Sequence, residues 1–429
     1  MIVDSLRNAW KVADLRRKIL FTLMMFLVFR IGAHIPVPFI DRSKLLNLIG
    51  EGTLVQFLDA ISGGAFKSFT VFAMSIAPYI NASIIMTLLT VVFPKLQQLQ
   101  KEGDEGRKKI TQYIRYGTVV LAFIQAWGLA IGILQPALSI PGPAYKWPVL
   151  LLIALVLTAG TAFLMWLGEM ITERGIGNGI SLIIFAGIVS RVPDGLKSIF
   201  QLVRAGEASI LSLIVLVIIS VIVIASIVYI QEAQRRIPVQ YAKRVVGRKV
   251  YGGQSTHIPM KVNQAGVIPV IFAISILSFP QQISTWFKGG WFYNFVQTWF
   301  SMNGTWQSLP YLLVYSLLIV GFTYFYTGIS FNPIDVADNI KKYGGFIPGL
   351  RPGRPTAEYI SKVLSRITMA GAIFLALIAV LPTVVIALTG FKNIYFGGTS
   401  LLIVVGVALE TMKQLESHLL MRHYQGFMK

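Results

Sequence analysis

From Ile210 to Ile230 the chain runs through 21 residues without a charged side chain. About 20 apolar residues are what a helix needs to cross the hydrocarbon core of a bilayer, and such stretches recur. Ten spans are predicted, over residues 19–38, 69–93, 116–136, 147–168, 180–203, 209–231, 264–287, 310–331, 367–389 and 394–412. The runs are unbroken rather than alternating, and backbone amides in lipid must be satisfied within the segment, so helices are expected rather than barrel strands. Composition points the same way: 13% of the 429 residues are charged and 55% apolar, where a soluble domain carries about 25% charge. The fold class expected is an all-α, multi-spanning membrane protein. The absence of cysteine excludes disulfides, thiolate metal sites and a cysteine nucleophile. No cleavage-site pattern follows the N-terminal charges, so the first segment is expected to stay in the membrane.

The formal charge of +20 is distributed by side. Segments 1–18, 94–115, 169–179, 232–263, 332–366 and the tail from 410 hold 28 of the 38 Lys and Arg, the alternate segments nine, and Arg30 lies within the first span. Basic loops stay in the cytoplasm, which puts both termini there and agrees with an even number of spans. Ten helices with both ends on one side divide into halves of five, residues 1–205 and 206–429. An odd-numbered half can only be repeated in inverted orientation, as in many transport proteins. In such folds a Gly- or Pro-interrupted helix at the same place in each half points to the functional site. Pro78 in SIAPYINAS and Pro269 in AGVIPVIFA meet that condition, each in the second helix of its half.

Catalysis finds little support. His34, His257, His418 and His423 are scattered with no metal-ligand spacing, and no GxSxG elbow is present. Gly175-Ile-Gly177-Asn-Gly179 lacks the third glycine and the preceding strand of a dinucleotide site, so these glycines are expected to end segment four and start segment five. Neither an enzyme nor a cofactor or metal site is expected. An ion-coupled carrier needs ionisable groups near the midplane, and nearly every Asp and Glu falls in a loop or at a helix end; Glu410, in segment ten, is the exception. Arg30 and His34, near the outer end of segment one, are expected to snorkel. Ile76 and Ile80, like Ile180 and Ile184, are four apart and share a helical face. Such pairs are either ordinary lipid or core contacts, or a constriction that excludes water.

Leu54, Phe57, Leu58 and Ile61 trace one face of a short amphipathic helix before Gly63-Gly64. It is too short to span, and either lies at the interface or re-enters the protein. Two cytoplasmic loops look ordered. In residues 234–262, IPVQYA and RKVYG flank VVG, which predicts a β-hairpin carrying Arg235, Arg236, Lys243, Arg244, Arg248 and Lys249. In KKYGGFIPGLRPGRPT, proline and glycine hold Arg351 and Arg354 forward. Both suit a docking surface.

WLGEMITERGIGNGISLII (166–184), IAPYINASII (76–85), QRRIPVQYAKR with STHIPMKVN, IPGLRPGRPT and FGGTSLLIVV (396–405) together resemble the SecY family of bacterial protein-conducting channels, over essentially the whole chain. Ser75 stands where many members have glycine, and Thr87 where many have glutamine. The resemblance implies two inverted five-helix halves around a central hourglass pore. It implies a pore ring of Ile76, Ile80, Ile180, Ile184, Ile271 and Ile403, a plug at 54–68, and a lateral gate between segments two and seven lined by Asn81, Gln125, Asn263 and Phe279. It implies docking of the SecA motor or the ribosome on the cytoplasmic loops, with Arg351 foremost, and small membrane subunits resembling SecE and SecG. Signal peptides, nascent polypeptides and membrane lipid would be its other partners, in the bacterial plasma membrane. A channel for unfolded chains of any sequence needs a greasy waist and a seam through which apolar segments reach lipid. The rival expectation is an inverted-repeat secondary transporter for a small solute.

Overall fold

The computed structural model describes residues 7, 10–41, 44, 59, 62–139, 142, 145–206, 209–241, 244–246, 249–251, 255–284, 287, 290–300, 309–389 and 398–426. A helix lies over each of the ten apolar segments. In the first half these are α1 (Ala13–Gly32), α2 (Ala77–Val92), α4 (Asp104–Leu129), α5 (Lys146–Arg174) and α6 (Gly179–Ser190), with the short α3 (Pro94–Lys101) and α7 (Val192–Arg204) between or after them. In the second half they are α8 (Ile210–Glu232), α9 (Ile268–Ser284), α11 (Leu309–Ser330), α13 (Arg354–Thr389) and α14 (Gly398–Gly426), with α10 (Trp291–Trp299) and α12 (Pro333–Lys342) as short connectors. Among the described residues six helical stretches are long and apolar enough to cross a membrane, or seven if the bent pair α2–α3 is one span, which makes this a multi-pass membrane protein. The outer faces fit that assignment: α8 leaves Leu211, Val217, Ile218, Val221 and Ile222 more than half exposed, a surface that suits acyl chains and not water.

Several predicted boundaries move, each for a local reason. Segment one ends at Gly32, six residues early, because Pro36 and Pro38 cannot continue a helix. Segment two begins at Ala77 and not at residue 69. Phe69 and Ser75 take left-handed backbone angles (φ 43° and 51°), and residues 69–71 bond instead to the chain leaving α1, Val37 N–H to the Phe69 carbonyl (3.1 Å) and Val71 N–H to the Ile35 carbonyl (3.0 Å). Pro78 and Pro269 therefore interrupt no helix: each lies in the first turn of its own, where a missing N–H costs nothing. Segment five is broken at Arg191, with Pro193 opening α7. α13 has 36 residues, roughly 54 Å at 1.5 Å per residue, and so extends well beyond a bilayer core.

Glycines set the tightest approaches. A Cβ on Gly160 of α5 would lie 2.1 Å from the Val71 carbonyl oxygen, and one on Gly179 would lie 1.9 Å from that of Gly168. The 175–179 glycines do join α5 to α6: Gly175 caps α5, and the Asn178 side chain accepts from Ile180 N–H (3.1 Å) and Ser181 N–H (3.3 Å) at the start of α6. α2 turns into α3 through 101° at Phe93, and a Cβ on Gly106 would lie 1.7 Å from the Leu99 carbonyl oxygen, so α3 is pressed onto the start of α4.

The predicted hairpin takes another pairing. β1 (Gln234–Tyr241) pairs antiparallel with β4 (Ser255–Lys261), not with RKVYG, and also with β5 (Gly345–Phe346), giving the order β4-β1-β5. Val245 and Val246 are not a turn but lie in β2 (Arg244–Val246), which pairs with β3 (Lys249–Tyr251) in a separate two-stranded ribbon. The seven-residue register of β1 with β4, from Gln234 opposite Lys261 to Gln240 opposite Ser255, buries Ile237 and Val239 on one face. That alternation, absent from RKVYG, selects the longer pairing. Ile237, Val239 and Met260 then pack with Ile340, Ile347, Ile360 and Leu364, so the two basic loops share one small core.

Candidate pore and its closures

The largest buried cluster gathers all six predicted ring isoleucines. Ile76, Ile80, Ile184 and Ile403 are buried within it, and Ile180 and Ile271 are partly buried against it. They come from the start of α2, from α6, from α9 and from α14, so residues of both halves meet there. The main contacts between residues before 205 and those after 206 are α9 against α2 and α4, and α14 against α6. One side of this core is lined by the chain before α2. Phe72 stacks between Phe29 (6.2 Å) and Phe163 (5.9 Å), which holds residues 69–76 between α1 and α5.

The helices of segments two and seven touch, α9 lying against α2 and α4. Pro78 and Asn81 of α2, Gln125 of α4 and Pro269 of α9 are buried and Phe279 of α9 is half-buried, while Asn263 is buried ahead of α9, near Gly371 of α13. The Asn263 side-chain amide donates to the Gly266 carbonyl (3.0 Å) and ties the turn that leads into α9. Its Oδ1, the Asn81 Oδ1 and the Gln125 Nε2 are buried without a partner. A buried polar atom left unpaired costs about 1–3 kcal/mol, so this contact surface is held less firmly than an apolar one.

Leu54, Phe57, Leu58 and Ile61 lie outside the described residues, but the end of the predicted plug is placed. Asp59 is 0% exposed. Its Oδ2 forms an ion pair with Arg191 Nη2, its Oδ1 accepts from Lys67 N–H (2.8 Å), and its carbonyl accepts from Gly64 N–H (2.9 Å) and the Ser62 hydroxyl (3.2 Å). Gly63 and Gly64 have φ of 67° and 91°, a turn only glycine makes without strain. Arg30 does not snorkel. Its Nη1 donates to the Gly63 carbonyl (2.8 Å) and the Ser190 hydroxyl (3.1 Å). Asp59, Ser62, Ser190 and Arg191 were not among the site residues expected from the sequence. The one available signal was an acid and a base in segments otherwise poor in charge; a pairing across 132 positions leaves no local pattern.

On the basic face Arg235 and Arg236 are exposed on β1. Arg351 is exposed while its carbonyl accepts from the Thr356 hydroxyl (2.8 Å), and Gly349 and Gly353 turn the loop with φ of 83° and 101°. Arg354 is exposed and pairs with Glu358 (3.2 Å). Lys243 and Arg248 lie outside the described residues; for Arg244 and Lys249 only the backbone in β2 and β3 is described.

The family model for SecY matches residues 70–412. The protein translocase subunit SecY of Halalkalibacterium halodurans is 50% identical, with 99% of each chain covered, and that of Streptomyces coelicolor is 47% identical over the whole of both chains. Among solved structures, a protein-conducting channel superposes with a TM-score of 0.68 at 20% identity, covering 94% of this chain and 92% of that one. Sec61 from a canine ribosome–channel complex of the endoplasmic reticulum superposes with a TM-score of 0.64 at 18% identity, with the same shares covered. Those likenesses carry the fold, and the matches in sequence carry the family: the chain belongs to the SecY family.

Proposed function

We propose that the chain conducts unfolded polypeptides through the buried isoleucine cluster and releases apolar segments sideways between α2 and α9. As a SecY-family member it is the central channel subunit of a Sec translocase, passive and not catalytic; the solute-transporter reading gives way to that membership. The observation that carries the mechanism is the meeting of Ile76, Ile80, Ile180 and Ile184 with Ile271 and Ile403 in one core. In this reading residues 1–205 and 206–429 are inverted five-helix halves, ten spans in all, joined around an hourglass whose waist is that ring. Isoleucine offers a passing chain no hydrogen bond to prefer and offers ions no substitute for their water, so the waist grips without selectivity and seals by dewetting. The segment 54–68 is the plug on the outer side. The seam is lined by Asn81, Gln125, Asn263 and Phe279, and a sufficiently apolar segment leaves through it by its own transfer free energy.

The energy comes from outside. The paired loops 232–263 and 332–366 form a cytoplasmic platform for a SecA motor or a ribosome, and SecE-like and SecG-like subunits complete the complex in the bacterial plasma membrane, both termini inside. The small core shared by the two loops supports that role, because it holds Arg235, Arg236 and Arg351 on one firm base. The test uses vesicles of the purified complex with its motor. A secretory precursor is expected to become protease-protected inside. Serine at Ile80 and Ile184 together is expected to raise resting ion leakage. Absence of precursor import, with solute uptake driven by an ion gradient, would overturn the channel reading; unchanged leakage would overturn the ring.

A further inference from the structure

We propose that Asp59 and Arg191, braced by Arg30, are an ionic latch on the plug segment: its resting seat accepts the Asp59 charge only while Arg191 pairs with it. The inference rests on the channel reading and adds to it the residues that keep the seal closed. Three distant parts of the chain meet here: the end of the plug segment, the outer end of α1 and the junction of α6 with α7. Asp59 is wholly buried, and the side chain of Arg191 is 15% exposed. Arg191 reaches Asp59 with one Nη and Asp194 with the other, at 3.5 Å. Arg30 adds the Gly63 carbonyl and the Ser190 hydroxyl, so the glycine turn is gripped from both helices. A Cβ on Gly63 would sit 2.9 Å from the Ser190 hydroxyl and 3.2 Å from the Gly187 Cα, so the turn is seated directly against the end of α6.

The two charges are unequal in what their loss does. Arg191 without Asp59 keeps Asp194 and some water. Asp59 without Arg191 keeps the Lys67 N–H but loses its ion pair in a site closed to solvent, and a buried charge so left is strongly destabilising until the segment that bears it moves into water. Movement of the plug is that escape. The pair therefore stabilises the closed form little through its own attraction, yet makes any half-paired closed form untenable.

Planar bilayers containing the purified complex give the test, with the resting conductance of Arg191→Gln, Asp59→Asn and the double variant measured without precursor. Arg191→Gln is expected to shift the closed-to-open ratio roughly a hundredfold, read as resting leak. Asp59→Asn alone is expected to leak less, and added to Arg191→Gln it is expected to restore tightness. A tight Arg191→Gln channel, or a double variant leakier than Arg191→Gln, overturns the latch. Should Arg191→Gln fail to fold, Arg191→Met, equally uncharged, replaces it: a leak relieved by Asp59→Asn supports the latch, and a parental conductance refutes it. Precursor import by the parent complex in the same preparation separates this outcome from a failure of the channel reading.

Discussion

Ser75 shows how one residue can carry strain next to a proposed functional position. It is buried at φ 51°, directly before Ile76 of the proposed ring, and its hydroxyl has no partner. A left-handed angle costs a non-glycine residue about 1–2 kcal/mol, and the orphaned hydroxyl adds to that. Replacing it by glycine, which many relatives of this family were expected to carry here, relieves both, against a loss of unfolded-state restriction. The net expectation for Ser75→Gly is about 1 kcal/mol of added stability, measured as a higher thermal midpoint of the detergent-solubilised complex; a lower midpoint would show that serine is favoured at this turn. The position was visible in the sequence as a departure, but its meaning was not, because the turn closed by the Ser75 N–H on the Phe72 carbonyl (2.8 Å) leaves no trace in composition.

Among elements, what was legible followed the length of the signal. Runs of about 20 apolar residues have no other stable home, and a helix was expected and found over each. Helix ends were misplaced where a local bond outcompeted continuation: the 69–76 segment looks like helix by hydropathy and is held as turns by bonds to Ile35 and Val37. The β1 partner was misjudged because RKVYG is nearer in sequence, while STHIPM offers a register that buries Ile237 and Val239. Two isoleucine pairs were noted by spacing on a face, but Ile271 and Ile403 entered only by resemblance; Ile271 has Ile268 and Ile274 three residues away on either side, a spacing too common in apolar helices to single it out. The Gly160 crossing belongs to this scale as well. A methyl group there meets the Val71 backbone, not a side chain that could swing away. Gly160→Ala is expected to push residues 69–76 away from α5 and to lose about 1–3 kcal/mol of stability, seen as a lower thermal midpoint. An unchanged midpoint would mean that the 69–76 segment yields freely.

For the whole molecule, the net charge of +20 follows the alternation of loops that the positive-inside rule expects, and among the described residues the sheet β4-β1-β5 and the 347–353 loop give it a surface with a shape. Arg351→Glu is expected to abolish most motor-driven precursor import while the protein still accumulates in the membrane, measured by protease protection and by its membrane abundance. Normal import would move the docking role elsewhere on the platform. The corner between α2 and α3 has a mechanical consequence of its own. Because α3 folds back through 101° and lies against Gly106 of α4, the helices α2, α3 and α4 make a buttress, with the first wall of the seam fixed to the third. α9 turns no such corner: it is 17 residues long, carries Pro280 inside it, packs chiefly on α11, and follows Gly266, whose φ is 64°. In the proposed channel the sideways exit is thus a door whose fixed jamb is α2, held by its corner, and whose leaf is α9.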